Sequence, residues 1–344
     1  MATTSGGEDW APPNPSETFA VVGLGGAGSE AVHDLVRLGI PGVRAFAVNT
    51  DEKHLAKIEV DQRILLGKRQ LAGRGSAGDR PAVLSAAEDG KEEMLRRLSK
   101  FEIVFLLAGL GGGTGSALLP FLARELRRGD ALPVPVAFLP FQVELDTNSQ
   151  RRENTTEAID ELEAMGGLIL ALANEKLRRF ESLPMHHVFQ LRNTYVHNLV
   201  TSLVDMVETP SLLNVDLASL KAHLDDAGVS TLLHAEYHIS EPERLVPQAL
   251  VESLLDFQLT EAPSALLHLD GGSNFTLRTH DRIVRSARHH FGEPRRLLLG
   301  IRMHPAPREV VRMTAVVGGL RSRAIRDALG SGQPERPAAL RLSR

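Results

Sequence analysis

The sequence predicts an α/β fold: a Rossmann-like domain with a parallel sheet, then a long central helix and a second, smaller α/β domain. Three observations lead to this prediction. Two short apolar runs, within 19–38 and 103–126, each enter a glycine-rich turn and then a helix-like pattern. Apolar residues recur every three or four positions from Leu183 to about Val207, which is typical of one long helix. Beyond residue 225, strand-like and helix-like segments alternate again.

Length, charge and composition narrow the class of protein. With 344 residues the chain can bury a large core, and two domains are expected. A net charge of −4 gives no indication of a nucleic-acid surface, and the absence of cysteine excludes a disulfide framework. No stretch reaches the ~18–20 uninterrupted apolar residues that a membrane span needs. We therefore expect a cytoplasmic protein with no membrane span and no nucleic-acid partner.

The stretch from Ala108 to Ala117 is the strongest functional signal. Five glycines fall within seven residues, between a strand-like run and a helix-like run. Such a turn lets backbone N–H groups converge on an anion, and the following helix N-terminus adds partial positive charge. The stretch therefore predicts a phosphate-binding loop, although it lacks a Walker A lysine. The candidate contacts are Gly111, Gly112, Gly113, Thr114, Gly115 and Ser116.

The first glycine turn leaves an alternative open. Gly23, Gly25 and Gly28 match the dinucleotide fingerprint, and Asp51 follows the next strand, where that fold needs an acidic residue. A dinucleotide-dependent oxidoreductase is therefore a minor alternative. The phosphate loop at 111–116 argues against it, because a dinucleotide fold does not need a second such loop there.

The sequence Gly-Gly-Gly-Thr-Gly-Ser at 111–116 resembles the phosphate loop of the tubulin and FtsZ superfamily. The first glycine loop, the strand end at 47–51 and the glycine loop at 73–78 resemble FtsZ in the same order. The resemblance implies an FtsZ/tubulin fold over about 18–320. The implied parts are a disordered tail (1–17), a GTP-binding domain (18–182), the central helix and catalytic loop (183–224), a C-terminal α/β domain (225–320) and a second tail (321–344).

The resemblance also implies a site for GTP or GDP, with Mg²⁺ expected. On the phosphate side, Ser76 would reach the terminal phosphate. On the ribose side, Glu144 lies in a Pro-Phe-x-x-Glu motif. Relatives have an arginine four residues later, where this chain has Asn148, and after about four extra residues Arg152 is the expected contact. The phosphate-side residues implied are Gly25, Gly26, Ala27, Asn49, Asp51, Gly75, Ser76 and Ala77.

The base end is implied by three further positions. Asn174 follows a predicted strand, and Phe189 and Asn193 share one face of the long helix at four-residue spacing. Glu30 stands where the family usually has asparagine. A carboxylate can accept from both N1–H and N2–H of guanine, so we hypothesise that Glu30 reads this edge together with Asn193. Glu30→Ala should then change the preference for GTP over ATP.

The loop from Asn214 to Leu220 resembles the family's catalytic loop, which enters the nucleotide pocket of the next subunit. The chain is therefore expected to bind itself head to tail, which generates open filaments. Asp216 keeps the first acidic residue, but Ser219 replaces the second. Because a missing proton acceptor typically costs ~10²–10⁴ in rate, slow GTP hydrolysis is expected, and Ser219→Asp should accelerate it. The alternative is a nucleotide-bound filament scaffold with little or no hydrolysis.

The last third of the chain carries weaker signals. Segments 297–301 and 310–317 are predicted to be paired strands. The histidines at 289–290 and 304 have no carboxylate at ligand-like local spacing, so no metal site is predicted. FtsZ has a terminal peptide that docks membrane adaptors, and residues 338–342 faintly resemble it. A membrane adaptor protein is thus a further expected partner, in keeping with a cytoskeletal role in cell division.

Overall fold

The computed structural model describes residues 18–209, 215–225, 227–257, 264–320 and 325. The predicted catalytic residue Asn214 lies outside the described residues. So do the predicted tails, except for Ile325. Among the described residues, no helix combines the length and the apolar character needed to cross a bilayer.

The first part of the chain alternates strands and helices up to a long helix. Its elements are β1 (Phe19–Leu24), α1 (Gly25–Leu38), β2 (Val43–Asn49), α2 (Glu52–Leu55), β3 (Gln62–Leu65), α3 (Arg80–Leu98), β4 (Ile103–Gly109), α4 (Gly113–Arg127), β5 (Leu132–Leu139), α5 (Gln142–Thr147), α6 (Ser149–Met165), β6 (Ile169–Ala173), a 3₁₀ helix (Asn174–Phe180) and α7 (Met185–Glu208).

The remaining part is smaller and mixes both strand directions. Its elements are α8 (Leu217–Asp225), β7 (Val229–His238), a short 3₁₀ helix (Pro242–Arg244), α9 (Leu245–Val251), β8 (Ser264–Gly271), α10 (Leu277–His290), β9 (Arg296–Met303) and β10 (Val310–Gly318).

The ten strands found in the described part of the chain form one sheet, in the order β3-β2-β1-β4-β5-β6-β7-β10-β8-β9. The first seven strands in this order pair in parallel, and β10 pairs antiparallel with both β7 and β8. The smaller part joins the larger one through the short pairing of β6 with β7 at Ile169–Val229 and Leu170–Ser230. The predicted α/β class with a parallel sheet is confirmed.

The predicted pairing of segments 297–301 and 310–317 is wrong. β9 pairs in parallel with β8 at the sheet edge, while β10 lies between β7 and β8. The burial of the two strands gives the reason. β10 is buried along almost its whole length, as a central apolar strand must be, whereas β9 is half-exposed and carries Arg296 and Arg302, which an edge strand tolerates.

The long helix α7 joins the two parts of the molecule. Its apolar side chains, among them Leu199, Leu203 and Met206, share one buried cluster with Leu232 of β7 and Val316 of β10. The same cluster contains side chains of β1, β4 and β5. The periodicity that predicted this helix therefore reflects a face that is buried against both halves of the sheet.

The start of α3 lies close to the glycine loop at 73–78. α3 starts at Arg80, and the Asp79 carboxylate caps it by accepting the Ala82 N–H at 2.9 Å. The glycine loop at 73–78 therefore leads almost directly into a capped helix, which holds the end of that loop in place.

Candidate functional site

The two helices that follow the main glycine turns begin without a side-chain cap. α1 follows Leu24 and α4 follows Gly112, neither of which offers a capping side chain, and neither first turn contains an acidic residue. By contrast, side chains cap α2, α3, α6 and α10. The first N–H groups of α1 and α4 therefore keep their partial positive charge available, an arrangement that favours bound phosphate.

Glycines bring these two helix starts together. A Cβ on Gly25 would lie 3.0 Å from the Gly115 nitrogen, and one on Gly115 would lie 2.4 Å from the Gly109 oxygen. Gly25 and Gly111 also have φ angles of +69° and +92°, which favour glycine. The backbone contacts that the sequence predicts for phosphate thus lie on adjoining loops, and side chains at these positions would separate them.

Three hydroxyl groups link the loops. The Thr114 hydroxyl lies 2.8 Å from that of Thr50 and 3.3 Å from that of Ser76. Ser76 belongs to a strained loop in which Gly75 and Ala77 have φ angles of +80° and +49°. Ser116 is fully buried and its hydroxyl accepts the Gly111 N–H at 2.9 Å. Ser116 therefore stabilises the predicted phosphate loop from its buried side.

The strand end at 47–51 forms a turn beside these loops. The Asn49 side-chain oxygen accepts the N–H groups of Thr50 and Asp51 at 2.8 and 3.3 Å. The Asp51 carboxylate caps α2 by accepting the His54 N–H at 3.0 Å. Asn49 and Asp51, both predicted to be site residues, thus stabilise the turn that places Thr50 against Thr114.

A cavity of about 520 Å³ opens at the carboxyl end of the parallel strands. It reaches the glycine turns at Gly26, Ala27 and Gly109, and extends to the start of the long helix. This volume is within the usual range for a ligand pocket. Its wall includes seven of the predicted residues: Gly26, Ala27, Glu30, Glu144, Asn174, Phe189 and Asn193.

Near Glu144, the two neighbouring arginines differ in position. Arg151 lines the cavity and donates to Glu144 at 2.7 Å. Arg152, which the sequence favoured, donates to Asp146 at 2.8 Å and is not part of the cavity wall. The reason is helical geometry, because α6 starts at Ser149 and turns successive side chains about 100° apart. The extra residues before this helix hid its register from sequence reasoning.

At the opposite end of the cavity, Asn174 and Asn193 converge on a buried arginine. The Arg192 guanidinium donates to the side-chain oxygens of both, at 3.1 Å to Asn174 and at 3.0 and 3.2 Å to Asn193. Arg192 is only 4% exposed, and its guanidinium carbon lies 3.8 Å from the centre of the Phe138 ring. Glu30 lies closer to the phosphate loops, 3.0 Å from His54.

Sequence reasoning missed Asp34, His54, Arg151 and Arg192, which also line the cavity. A signal for Asp34 existed, because Gly26, Glu30 and Asp34 are four residues apart and share one face of α1. A signal for Arg192 existed as well, because it follows Phe189 by three residues on α7 and so lies on the same side of the helix. In the structure its guanidinium stacks on Phe138 in the cavity wall.

In the predicted catalytic loop, Ser219 forms two hydrogen bonds to Asp216, and this part of the loop is called the acidic loop below. The Ser219 hydroxyl donates to Asp216 Oδ2 at 2.6 Å, and the Ser219 N–H donates to Oδ1 at 2.8 Å. These hydrogen bonds, the hydroxyl's foremost, hold the pKa of the exposed Asp216 carboxyl below its usual value. Asp216 therefore remains ionised but is a weak proton acceptor.

This acidic loop lies at the far end of the sheet from the cavity. Lys221 of α8 contacts Glu102 at 2.9 Å and the Asp130 carbonyl at 2.7 Å, just before β4 and β5 begin. The cavity residues Gly109 and Pro140 lie where the same strands end. Seven residues of β4 span about 23 Å. Asp216 and the cavity of one chain therefore cannot meet.

Comparisons with known proteins agree with this architecture. Residues 18–182 match the model of the Tubulin/FtsZ family GTPase domain, and residues 239–321 match the C-terminal domain of the FtsZ family. Cell division protein FtsZ 1 of Pyrococcus furiosus is 30% identical over 308 residues, which cover 89% of this chain and 82% of that protein. The chain belongs to the Tubulin/FtsZ family.

Solved structures of FtsZ superpose well on this Tubulin/FtsZ family member. A point mutant of FtsZ from M. jannaschii superposes with a TM-score of 0.78 at 29% identity, covering 88% of this chain and 91% of the other. An empty FtsZ dimer from M. jannaschii gives a TM-score of 0.77 at 29% identity, with 88% of each chain covered. The predicted FtsZ/tubulin fold is therefore confirmed.

Proposed function

We propose that this chain binds GTP in the cavity, assembles head to tail with copies of itself and hydrolyses the nucleotide slowly at the contact between copies. One observation carries the proposal: the cavity and the Asp216 loop lie at opposite ends of the same strands. A loop that cannot reach its own cavity can complete that of a second molecule, and a contact of this head-to-tail kind generates filaments.

The electrostatics of the cavity support a bound triphosphate. The open N-termini of α1 and α4 supply backbone N–H groups, and the Thr114 hydroxyl in the first turn of α4 lies 3.3 Å from that of Ser76. Glu144 and Arg151 would face the ribose, and Phe189 with Asn193 the base. The match to a GTPase domain over 18–182 favours a guanine nucleotide.

Magnesium fits the oxygen-rich phosphate side of the cavity. Mg²⁺ is usually held by one or two carboxylates together with substrate phosphates, and the Asp51 carboxylate and the Thr114 and Ser76 hydroxyls are oxygen groups in this region. A bound Mg²⁺ would neutralise charge on the phosphates. The chain itself would orient the phosphates with backbone N–H groups, since phosphoryl transfer depends mainly on positioning and electrostatics.

The expected rate is low because of Ser219. Its hydroxyl is no base near neutral pH, and it lowers the basicity of Asp216 by donating a hydrogen bond to it. Asp216 of the neighbouring copy would then position the attacking water while accepting its proton poorly. The same observation favours the second candidate function, a nucleotide-bound scaffold that assembles without appreciable hydrolysis.

Exposed apolar side chains that adjoin cavity residues in the chain support self-association. Val143 precedes Glu144 and is 57% exposed, and Met185 precedes His186 and is 65% exposed. Leu183, two residues before Met185, is 42% exposed. M. jannaschii FtsZ, at 29% identity, has been solved as a dimer. Apolar side chains grouped around a pocket rim are characteristic of a contact face.

The test combines binding, assembly and turnover in the full chain with Mg²⁺. GTP is expected to bind, to promote filaments visible by electron microscopy, and to release phosphate only above the assembly concentration. GDP and nucleotide-free samples are the controls. Assembly without phosphate release identifies the scaffold, whereas a protein that stays monomeric and ignores millimolar GTP refutes both functions.

A variant separates the two halves of the site. Asp216→Asn should abolish phosphate release while leaving the affinity of the monomer for GTP within about twofold, because Asp216 is about 20 Å from its own cavity. A parallel loss of GTP affinity in the monomer would contradict the head-to-tail arrangement.

A further inference from the structure

The base end of the cavity is organised by a guanidinium. Arg192 is packed between aromatic rings, 3.8 Å from the centre of Phe138 and 5.1 Å from that of Phe189. Burial lowers the pKa of Arg192 to about 9, which leaves it charged at neutral pH, and Asp34 acts in the opposite direction. Because a guanidinium only donates hydrogen bonds, every side-chain atom to which it is hydrogen-bonded must be an acceptor.

This constraint fixes the orientation of Asn193. Two N–H groups of Arg192 donate to Asn193 Oδ1, so the amide oxygen faces the arginine. The Asn193 amide nitrogen then donates to Asp34 Oδ2 at 2.7 Å. One N–H of this amide is left over. Asn193 can therefore offer the base a donor, but its acceptor oxygen is already engaged.

Guanine also needs a hydrogen-bond acceptor, which Asn193 cannot supply. Its N1–H and 2-amino groups are donors and require an acceptor, while O6 requires a donor. Asp34 supplies the acceptor, because a carboxylate has about four lone-pair sites and the bond from Asn193 uses one. It lines the cavity and is partly buried, on the same face of α1 as Gly26 and Glu30.

Glu30 is less suited to this task. Its carboxylate lies 3.0 Å from His54, on the side of the cavity that adjoins the phosphate loops, and its side chain is 57% exposed. Water competes strongly for an exposed carboxylate, so a hydrogen bond to it discriminates weakly between ligands.

We propose that Asp34 determines the base specificity of the cavity by accepting from guanine N1–H and the 2-amino group, and that Arg192 is a positioning residue that orients Asn193 and through it Asp34. The inference rests on the proposed binding of a guanine nucleotide. It replaces Glu30 with Asp34 as the residue that reads this edge.

The test uses three nucleotides whose bases carry different groups at C2. GTP carries an amino group there, ITP carries hydrogen and XTP carries an oxygen. Asp34→Asn turns an acceptor oxygen into a donor, so the GTP-to-ITP affinity ratio should fall to about one and XTP should gain affinity. ITP keeps N1–H, so the GTP-to-ITP ratio of the wild type reports the one hydrogen bond from the 2-amino group to a charged acceptor, about 1.5–3 kcal/mol or roughly 10- to 150-fold.

Glu30→Gln is the matched control, since it makes the same chemical change one turn earlier on the same helix. It should leave the GTP-to-ITP ratio within about twofold of the wild-type value. Arg192→Lys keeps the charge but cannot hold both asparagine oxygens, so it should lower this ratio while ITP affinity changes little.

The outcomes are distinct. An unchanged ratio in Asp34→Asn, or a collapse of the ratio in Glu30→Gln alone, overturns the inference and leaves the proposed function standing. Wild-type protein that binds none of the three nucleotides overturns the proposed function itself. If Asp34→Asn does not fold, Asp34→Ser is measured by the same ratio.

Discussion

Two neighbouring glycines at the start of α4 allow a sharp test of how the phosphate loops fit together. A Cβ on Gly113 would lie 2.5 Å from Ser76 Oγ, 2.9 Å from the Gly78 carbonyl carbon and 3.1 Å from the Asp79 nitrogen. The last two atoms belong to the backbone and cannot rotate away. A Cβ on Gly112, one residue earlier, meets nothing within 4 Å. Gly113→Ala and Gly112→Ala are therefore a matched pair.

The expected magnitude follows from these contacts. Forcing a methyl group into a closely packed site typically costs about 1–3 kcal/mol, so Gly113→Ala should lower the free energy of unfolding by this amount. If the Ser76 loop moves instead, the cost should appear as weaker GTP binding, about tenfold for each 1.4 kcal/mol. Gly112→Ala has two opposing effects on the free energy of unfolding. Alanine is a weaker N-cap than glycine, which lowers stability, but it also makes the unfolded chain less flexible, which raises stability. Each effect is about 0.5–1 kcal/mol.

The assay is urea unfolding of the nucleotide-free proteins, followed by equilibrium binding of a fluorescent GTP analogue with Mg²⁺. Gly113→Ala should lose stability, affinity or both, while Gly112→Ala should keep the stability of the wild type. Equal destabilisation by both variants would refute the steric reasoning. So would a Gly113→Ala protein with the stability and affinity of the wild type.

Three further predictions address turnover, pH and the ribose side. Ser219→Asp should raise phosphate release above the assembly concentration by about 10²-fold, whereas the uncharged Ser219→Asn should not; a wild type as fast as Ser219→Asp would contradict this. Burial lowers the pKa of His268 to about 4, so below pH 6.5 only the unfolded chain takes up this proton and stability falls toward pH 4. The loss is about 2 kcal/mol between pH 7 and pH 5. Urea unfolding should show a shallower pH slope in His268→Gln, while exposed His238→Gln should match the wild type; equal slopes in all three would exclude this effect. Finally, Arg151→Ala should weaken GTP binding about tenfold, the cost of losing one charged contact, and Arg152→Ala should change it less than twofold; the reverse order would restore Arg152 as the ribose contact.

The local features of this fold could be predicted from sequence because local chemistry determines them. A glycine turn needs φ angles that other residues avoid, as at Gly25 and Gly111. A helix buried on one side needs apolar residues every three or four positions, as along α7. The resemblance to FtsZ rested on the same loops, and it indicated Phe189 and Asn193, which both line the cavity.

The sequence by itself therefore determined the fold class, the glycine-rich turns and the family. Only the tertiary structure decided that β10 lies between β7 and β8, that Arg151 rather than Arg152 faces the cavity, and that Asn193 turns its amide nitrogen toward Asp34. The last two residues are 159 positions apart in the chain. The physical reason is that backbone propensity and periodicity act over a few residues, whereas strand order and side-chain hydrogen bonds depend on which distant segments pack together.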